Sequence, residues 1–205
     1  GTIYIFNRDT LETKFDILID TIFYYTPALA DIDHDGFLEI VMPNSSTSLY
    51  ATNRNGTLVN DFPVHYEDFL LYPLLIADLD ASGSEEIAFG LETSDSLGSG
   101  FLKIINDRKR EFAYSPLFGT GGFSSPGVIL DLDADGDLEL ACGSNGGRLY
   151  VWDFPGTGVS WAGYMNTSDN AGCYEGELTP VQVAGTLLGN VYMYPSPCLL
   201  YTSDA

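Results

Sequence analysis

Short apolar runs separated by polar turns alternate along most of the chain. The runs are rich in Ile, Val, Leu, Tyr and Phe and are bounded by Gly, Asn, Asp and Pro, which is the pattern of β-strands and turns. No amphipathic stretch is long enough to predict a substantial helix. In "LYVWDF", which begins at Leu149, both alternating faces are apolar. We therefore expect this strand to be covered on both sides, as in the stacked sheets of a propeller or a sandwich.

A repeated unit organises these strands. The stretches "PALADIDHDGFLEIVMPN", "PLLIADLDASGSEEIAFGL" and "PGVILDLDADGDLELACGS" each contain a proline, an apolar strand, an acidic loop and a second apolar strand. The first aspartates of the three loops, Asp31, Asp78 and Asp131, lie 47 and 53 residues apart, and each unit continues with another strand and a polar turn. Four strands in roughly 45 residues, repeated, is the pattern of propeller blades. We predict an all-β chain that forms a β-propeller, or part of one, from four-stranded antiparallel blades.

Two of the acidic loops share the pattern DxDxDGxxE. Numbered from the first aspartate, both loops have carboxylates at positions 1, 3, 5 and 9, and these are Asp31, Asp33, Asp35 and Glu39 in the first loop and Asp131, Asp133, Asp135 and Glu139 in the third. Carboxylates at this spacing repel one another, and a cation would offset the repulsion. Calcium takes six to eight oxygen ligands at about 2.3–2.6 Å. We predict a hairpin calcium loop in which position 7, Phe37 or Asp137, adds its backbone carbonyl.

The alternative is an Asp-rich turn whose carboxylates only cap their own backbone. Two full copies at equivalent positions of a repeat favour calcium over that alternative. The middle loop is weaker, because a serine replaces its third aspartate. Its corresponding residues are Asp78, Asp80, Ser82, Ser84 and Glu86. A serine hydroxyl offers an oxygen without a charge, so any calcium there should bind less tightly.

The charge of the chain excludes some classes of partner. With 29 acidic and 8 basic residues the net charge is −21, which suits a cation and argues against nucleic acid, because phosphate recognition needs a basic surface. No apolar run approaches the roughly 18 residues of a membrane span, so we expect no transmembrane segment. The histidines, His34 and His65, are isolated, and no GxSxG or HExxH motif predicts a hydrolase. Three cysteines without a CxxC pair argue against a thiolate zinc site, and the repeat alignment places Cys142 in the core.

The segments "DIDHDGFLE" and "DLDADGDLE" resemble the FG-GAP/VCBS-type calcium-binding propeller repeats of integrin α-subunits and many exported bacterial proteins. The resemblance covers about residues 1–173 and implies blades with calcium in a hairpin between strands. The Phe-Gly signature that names the family survives only at Phe89-Gly90 and Phe118-Gly119, so an integrin-like ligand is not implied. "WAGYMNTSDNAGCYEG" resembles the closing stretch of the last blade in exported bacterial relatives. "YPSP", at Tyr194, resembles the start of a type IX secretion sorting domain.

These patterns divide the chain into predicted blades and terminal segments. We expect the chain to open within a blade, to continue upstream of Gly1, and to end in "CLLYTSDA", which resembles a translated sequencing adapter. The predicted segments are 1–26, the end of a preceding blade; 27–72, a blade with a calcium loop; 73–124, a blade with a degenerate calcium loop; 125–173, the last blade with a calcium loop; 174–197, a linker toward a sorting domain; and 198–205, the non-native end.

We therefore expect a calcium-binding, non-catalytic propeller segment of a larger secreted or cell-surface protein, serving adhesion or scaffolding through an unknown protein or carbohydrate ligand. One alternative is an accessory propeller of a secreted enzyme, such as a polysaccharide lyase or a peptidase. Another is a carbohydrate-binding module that uses an exposed Trp161 or Tyr164. For these two aromatic residues we expect packing at a blade edge instead.

Overall fold

The computed structural model describes residues 2–6, 13–18, 26–44, 47–66, 69–71, 74–93, 100–106, 112–113, 115–123, 127–163 and 166. These residues form fifteen β-strands and no helix, and the pairs between them are antiparallel. The prediction of an all-β protein is confirmed. In chain order the strands are β1 (Thr2–Phe6), β2 (Thr13–Leu18), β3 (Ala28–Ala30), β4 (Glu39–Pro43), β5 (Ser48–Thr52), β6 (Val64–His65), β7 (Phe69–Leu71), β8 (Leu75–Asp78), β9 (Glu86–Thr93), β10 (Gly100–Ile105), β11 (Leu117–Phe118), β12 (Val128–Leu130), β13 (Leu138–Gly143), β14 (Leu149–Phe154) and β15 (Gly158–Trp161).

Three of the sheets each carry one acidic loop. Sheet 1 has the order β3-β4-β5-β6, sheet 2 has the order β11-β10-β9-β8-β15 with β7 also paired to β9, and sheet 3 has the order β12-β13-β14. A separate hairpin pairs β1 with β2. Loop 1 (31–39) connects β3 to β4, loop 2 (78–86) connects β8 to β9, and loop 3 (131–139) connects β12 to β13. Each predicted hairpin around an acidic loop is therefore present.

Sheet 2 lies between the other two large sheets. Successive residues of β8 point to opposite faces, and they belong to two different apolar clusters. Ile76 packs in a cluster with residues of sheet 1, whereas Leu75 and Ala77 pack in a cluster with residues of sheet 3. The same alternation holds in β9, where Phe89 belongs to the first cluster and Ala88 to the second. Burial on both faces explains why these strands are almost uninterrupted runs of apolar residues.

The last strand, β15, follows a path that the repeat does not predict. By analogy with sheets 1 and 2, the segment after β14 should add a fourth strand to sheet 3. It pairs instead with β8, with Gly158 opposite Asp78 and Val159 opposite Ala77. β15 also contacts β3 and β12, and the Ile129 amide donates a 2.7 Å hydrogen bond to the Ala162 carbonyl. β15 thus touches the strand that precedes the acidic loop in each of the three sheets.

Sheet 3 corrects one expectation. We expected "LYVWDF" to be covered on both faces, but only one face is covered. Tyr150 and Trp152 pack against the second cluster, while Leu149 is 72% and Val151 44% exposed. No further sheet among the described residues lies over this face, and Val128 across the sheet is exposed as well. The prediction failed because an apolar residue indicates only that its burial would be favourable. It does not show that another segment of the chain is present to cover it.

The structure does not bear on several of the predicted segments. Tyr164, the linker at 174–197, Tyr194 and the segment 198–205 lie outside the described residues.

Candidate metal centre

The backbone turns in the same way in all three acidic loops. Positions 4 and 6 of each loop adopt left-handed conformations, with φ of 61° at His34 and 85° at Gly36, 57° at Ala81 and 82° at Gly83, and 64° at Ala134 and 102° at Gly136. Glycine takes this conformation freely, whereas His and Ala do so at a cost of about 1–2 kcal/mol. Recurrence of an unfavourable conformation at position 4 shows that the rest of the loop enforces it. The loops curl, and their carboxylates face one another.

Hydrogen bonds from the loop backbone hold the first aspartate. In loop 1 the Asp31 carboxylate accepts from the amides of Asp35, at 3.1 Å, and Gly36, at 3.0 Å. In loop 2 the Asp78 carboxylate does the same with Ser82, at 3.0 Å, and Gly83, at 2.9 Å. An Asp-rich turn without a metal would make the same bonds, so they do not distinguish the two interpretations.

The side chain at position 5 also accepts a hydrogen bond from the loop backbone. The side chains of Asp35 and Asp135 accept hydrogen bonds from the amides of position 7, at 2.9 and 3.2 Å, and the Ser82 hydroxyl accepts one from Ser84 at 3.2 Å. Serine can therefore replace aspartate here without loss of the turn. In loop 1 the Phe37 side chain lies under the Arg54 guanidinium, whose carbon is 3.8 Å from the ring centroid.

The glutamate at position 9 closes each loop and is buried in all three. One carboxylate oxygen of Glu39, Glu86 and Glu139 accepts a hydrogen bond from the amide of position 2, at 3.0 Å from Ile32, 2.9 Å from Leu79 and 2.5 Å from Leu132. Each bond joins the second strand of the hairpin back to the start of its loop.

Loop 1 holds a buried carboxylate oxygen with no protein partner. Glu39 is 0% exposed, and its Oε1 atom has no hydrogen-bond partner among the described residues. Burial, the largest cause, and the charges of Asp33, Asp35 and Asp31 together raise the pKa of Glu39 from its ordinary value of 4.5 to about 8, against the opposing effect of the hydrogen bond from the Ile32 amide. A buried acceptor without a partner is costly in a protein.

The structure gathers the predicted ligands at positions 1, 3 and 9. In each of the three loops these side chains offer oxygens that lie within 4.8 Å of one another, and the groups are Asp31, Asp33 and Glu39; Asp78, Asp80 and Glu86; and Asp131, Asp133 and Glu139. A cation could be held by any of them. The direct roles predicted for Asp35, Ser82 and the position 7 residues Phe37, Ser84 and Asp137 remain predictions.

Loop 3 has an additional carboxylate at position 7. Asp135, Asp137 and Glu139 form a further group of carboxylates within 4.8 Å. The hydrogen bond between Asp135 and Asp137 lowers the pKa of Asp135 and raises that of Asp137 to about 6.

Glu85 is a half-buried acidic residue that sequence reasoning missed. It occupies position 8 of loop 2, where loops 1 and 3 have the apolar Leu38 and Leu138. Its Oε1 accepts a short hydrogen bond from the Ser160 hydroxyl of β15, and its Oε2 is a buried atom without a partner among the described residues. Burial raises the pKa of Glu85 to about 7; the Ser160 hydrogen bond opposes this rise, and the charges of Asp31 and Asp78 add to it. An acid at a leucine position of the repeat was the signal in the sequence.

Other candidate residues have structural roles. Cys142 is a buried thiol in the core, as the alignment predicted, and burial raises its pKa to about 11. His65 Nδ1 lies 2.7 Å from the Ser48 hydroxyl, its cross-strand neighbour. Ser48 is buried and His65 is exposed. Within the described part of the chain, no helix is long and apolar enough to cross a membrane.

Comparison with protein-family models, curated protein sequences and solved structures gives no match for this chain. The assignment of function therefore rests on the residues and their geometry.

Proposed function

We propose that this chain is a calcium-binding, non-catalytic propeller segment of a secreted or cell-surface protein, with a role in adhesion or scaffolding. The observation that carries the proposal is the Glu39 carboxylate. It is fully buried beside Asp31 and Asp33, and one of its oxygens has no protein partner. An Asp-rich turn stabilised only by capping leaves this oxygen unexplained, whereas a cation in the loop would complete it.

Calcium is the cation that the ligand type favours. The three groups at positions 1, 3 and 9 offer carboxylate oxygens, which suit hard cations, whereas zinc and copper prefer nitrogen or sulfur. Calcium tolerates irregular coordination, but magnesium demands near-octahedral geometry and retains several waters. A short loop that gathers several carboxylates around one point therefore fits calcium better than magnesium.

The arrangement of the sheets supports a propeller. Sheet 1 has four strands in simple antiparallel order, sheet 2 contains the same order in β8 to β11, and the first strands β3, β8 and β12 each lead into an acidic loop. β8 contacts both β3 and β12, so the strands that precede the acidic loops lie together while the sheets stack face to face. Neighbouring blades in a propeller have this relation.

The proposed role follows from the character of the site. Loops of this kind have affinities of about 10⁻⁴–10⁻³ M in extracellular modules, so they are filled where calcium is abundant. The carboxylate groups at positions 1, 3 and 9 fit cation ligands, which leaves them no role as an acid–base pair. Trp161 is only 2% exposed, so it does not support the carbohydrate-binding alternative.

Isothermal titration calorimetry of calcium-free protein tests the proposal. We expect calcium to bind at loops 1 and 3, with loop 2 weaker, and magnesium to compete poorly. The double substitution Asp31→Ala and Asp33→Ala should remove one site and leave the others. Asp61→Asn is a matched control, because Asp61 is exposed and outside the loops.

Two results would contradict the proposal. If the addition of calcium produces no heat, the loops are solvated turns that do not bind the cation. Unchanged stoichiometry after the loop 1 substitutions would show that calcium binds elsewhere.

A further inference from the structure

Sheets 1 and 2 each end in a two-residue strand that occupies the same place. In sheet 1, β6 brings Val64 opposite Leu49. In sheet 2, β11 brings Leu117 opposite Leu102. The two partners are 15 residues apart in both sheets, and a proline comes directly before Val64 and before Leu117. The repeat therefore closes the outer edge of a sheet with a proline and an aliphatic residue that lies across from a leucine.

Sheet 3, with the order β12-β13-β14, has no such strand among the described residues. Leu149 corresponds to Leu49 and Leu102 in the repeat. The Arg148 carbonyl accepts a 2.7 Å hydrogen bond from the Ser144 amide in the turn before β14, so Arg148 faces β13. Because successive residues of a strand direct their backbone groups to opposite sides, the amide and the carbonyl of Leu149 face the outer edge. The Leu149 side chain is 72% exposed, whereas Leu49 is 0% and Leu102 3% exposed.

The chain completes the repeat distance at the opposite edge of sheet 3. After β15 the Ala162 carbonyl accepts a hydrogen bond from the Ile129 amide of β12. A Cβ added at Gly163 would lie 3.7 Å from Val128 Cγ2 of the same strand. β13 separates β12 from β14. A strand beside Leu149 therefore has to come from farther along the chain or from another molecule.

The sequence after Asn166 contains a segment that fits this place. "TPVQV", at 179–183 and outside the described residues, has the proline and the aliphatic residue of "FPVHY" and "SPLFG", the segments that contain β6 and β11. Three prolines follow Asn166, and only Pro180 is followed by a branched aliphatic residue, Val181. Proline is compatible with the first residue of an edge strand, and valine favours strands.

The chain between Asn166 and Pro180 is long enough to reach the outer edge of β14. Its 14 residues span at most about 46–50 Å when extended. The path from β12 past β13 and β14 covers three strand spacings, which is about 14–15 Å. Even with the length of β14 added, about 20 Å, the path is shorter than the extended chain.

We propose that residues 180–183 pair with β14 as the fourth strand of sheet 3. Val181 lies opposite Leu149 in this register, which copies the pairing of β6 with β5. Gln182 then lies opposite Arg148. Val181 exchanges backbone hydrogen bonds with Leu149, and the two side chains lie side by side on one face of the sheet. The added strand covers an edge that would otherwise be open to pairing with other chains.

A cross-strand disulfide in the full chain tests the pairing. Arg148 and Gln182 form a directly opposite pair without hydrogen bonds between them, and the Cα atoms of such pairs are about 4.5 Å apart. This separation is within the range of about 4.4–6.8 Å that a disulfide requires. Cys173 and Cys198 are first replaced by serine. Arg148→Cys combined with Gln182→Cys should then oxidise to an intramolecular disulfide, which mass mapping of the peptides identifies.

The matched control for the disulfide is Leu149→Cys combined with Gln182→Cys. Neighbouring residues of a strand point to opposite faces, so the two introduced thiols of the control lie on different faces of the sheet. The control should therefore form the disulfide about tenfold more slowly.

Hydrogen exchange of the Leu149 amide tests the same pairing without added cysteines. In the wild type we expect this amide to exchange slowly. Val181→Pro removes the amide that pairs with the Leu149 carbonyl and should speed exchange of the Leu149 amide by about fivefold to tenfold. Gln182→Pro is the control, because the amide of Gln182 faces away from β14 and proline is tolerated at such edge positions.

Three results would overturn the inference. The first is a disulfide that joins two chains, which would show that a second copy occupies the edge. The second is a disulfide between positions 148 and 182 that forms no faster than the control. The third is rapid exchange of the Leu149 amide in the wild type. The inference goes beyond the proposed function, and none of these measurements depends on calcium binding.

Discussion

Replacement of Glu39 by glutamine should have opposite effects on stability with and without calcium. In the calcium-free protein Glu39 is fully buried, and its pKa lies near 8 instead of 4.5. Below pH 4.5 the carboxyl is protonated in both the folded and the unfolded states. Above that pH the unfolded chain releases the proton while the folded chain retains it, so folding becomes less favourable until pH 8 is passed.

The size of the effect follows from the same pKa values. Each unit between folded and unfolded pKa corresponds to about 1.4 kcal/mol. At pH 7 the buried carboxyl therefore lowers the free energy of unfolding by at most about 3 kcal/mol. Glutamine keeps the shape and an acceptor for the Ile32 amide but carries no charge. Without calcium, Glu39→Gln should be more stable than the wild type by up to this amount, and the difference should grow from pH 5 to pH 8.

Calcium should reverse the order of stability. The cation pairs with the Glu39 carboxylate, and the amide is a weaker ligand, so the variant gains less stability from calcium than the wild type. Urea denaturation followed by circular dichroism, at pH 5 to 8 with and without calcium, measures all of these differences. Asp61→Asn controls for the removal of an exposed carboxylate. A difference between Glu39→Gln and wild type that does not change with pH in calcium-free buffer would refute the reasoning.

Three further predictions concern the whole chain, its open face and its buried thiol. Calcium at 100 times its dissociation constant should stabilise the folded protein by about 2.7 kcal/mol per site and raise the melting temperature by about 5–10 °C; a scan that is identical with and without calcium would contradict this. Leu149→Thr combined with Val151→Thr removes exposed apolar surface from sheet 3 and should lower self-association in light scattering, whereas unchanged scattering would show that this face is not involved. With Cys173 and Cys198 replaced by serine, Cys142 should react with a thiol reagent only on unfolding. The thiol is buried, and with a pKa of about 11 only about one thiol in a thousand is ionised to thiolate at pH 8. Rapid reaction of the native protein would be inconsistent with this burial.

The sequence predicted the parts of the structure that local pattern determines. Each acidic loop joins two antiparallel strands and turns at a glycine with positive φ in position 6. These features depend on strand alternation, on a glycine with positive φ and on the short range of a hairpin. The same reasoning placed Cys142 in the core, because it aligns with Met42 and Phe89 across the repeats.

The features that the sequence did not predict depend on contacts between distant segments. β15 could have paired with β14, its neighbour in the chain, or with β8, and no local pattern distinguishes these partners. The close approach of Gly156 to Asp78 permits the second choice, yet one glycine among 22 does not reveal it. The hydrogen bond between Ser160 and Glu85 follows from where β15 lies, so it could not be foreseen without that strand.

The pairing of β15 with β8 also has a consequence for synthesis on the ribosome. Loop 2 and strands β8 to β11 emerge well before Trp161. About 80 further residues must be synthesised after β8 before β15, which pairs with one edge of β8, is available. At a synthesis rate of about 5–20 residues per second, that interval is on the order of 4–16 s. During this time β8 presents unpaired amides and carbonyls, which is the condition under which strands pair wrongly with other chains. We therefore expect the nascent protein to be most prone to aggregation between the emergence of β8 and that of β15, when a chaperone that covers strand edges would help most.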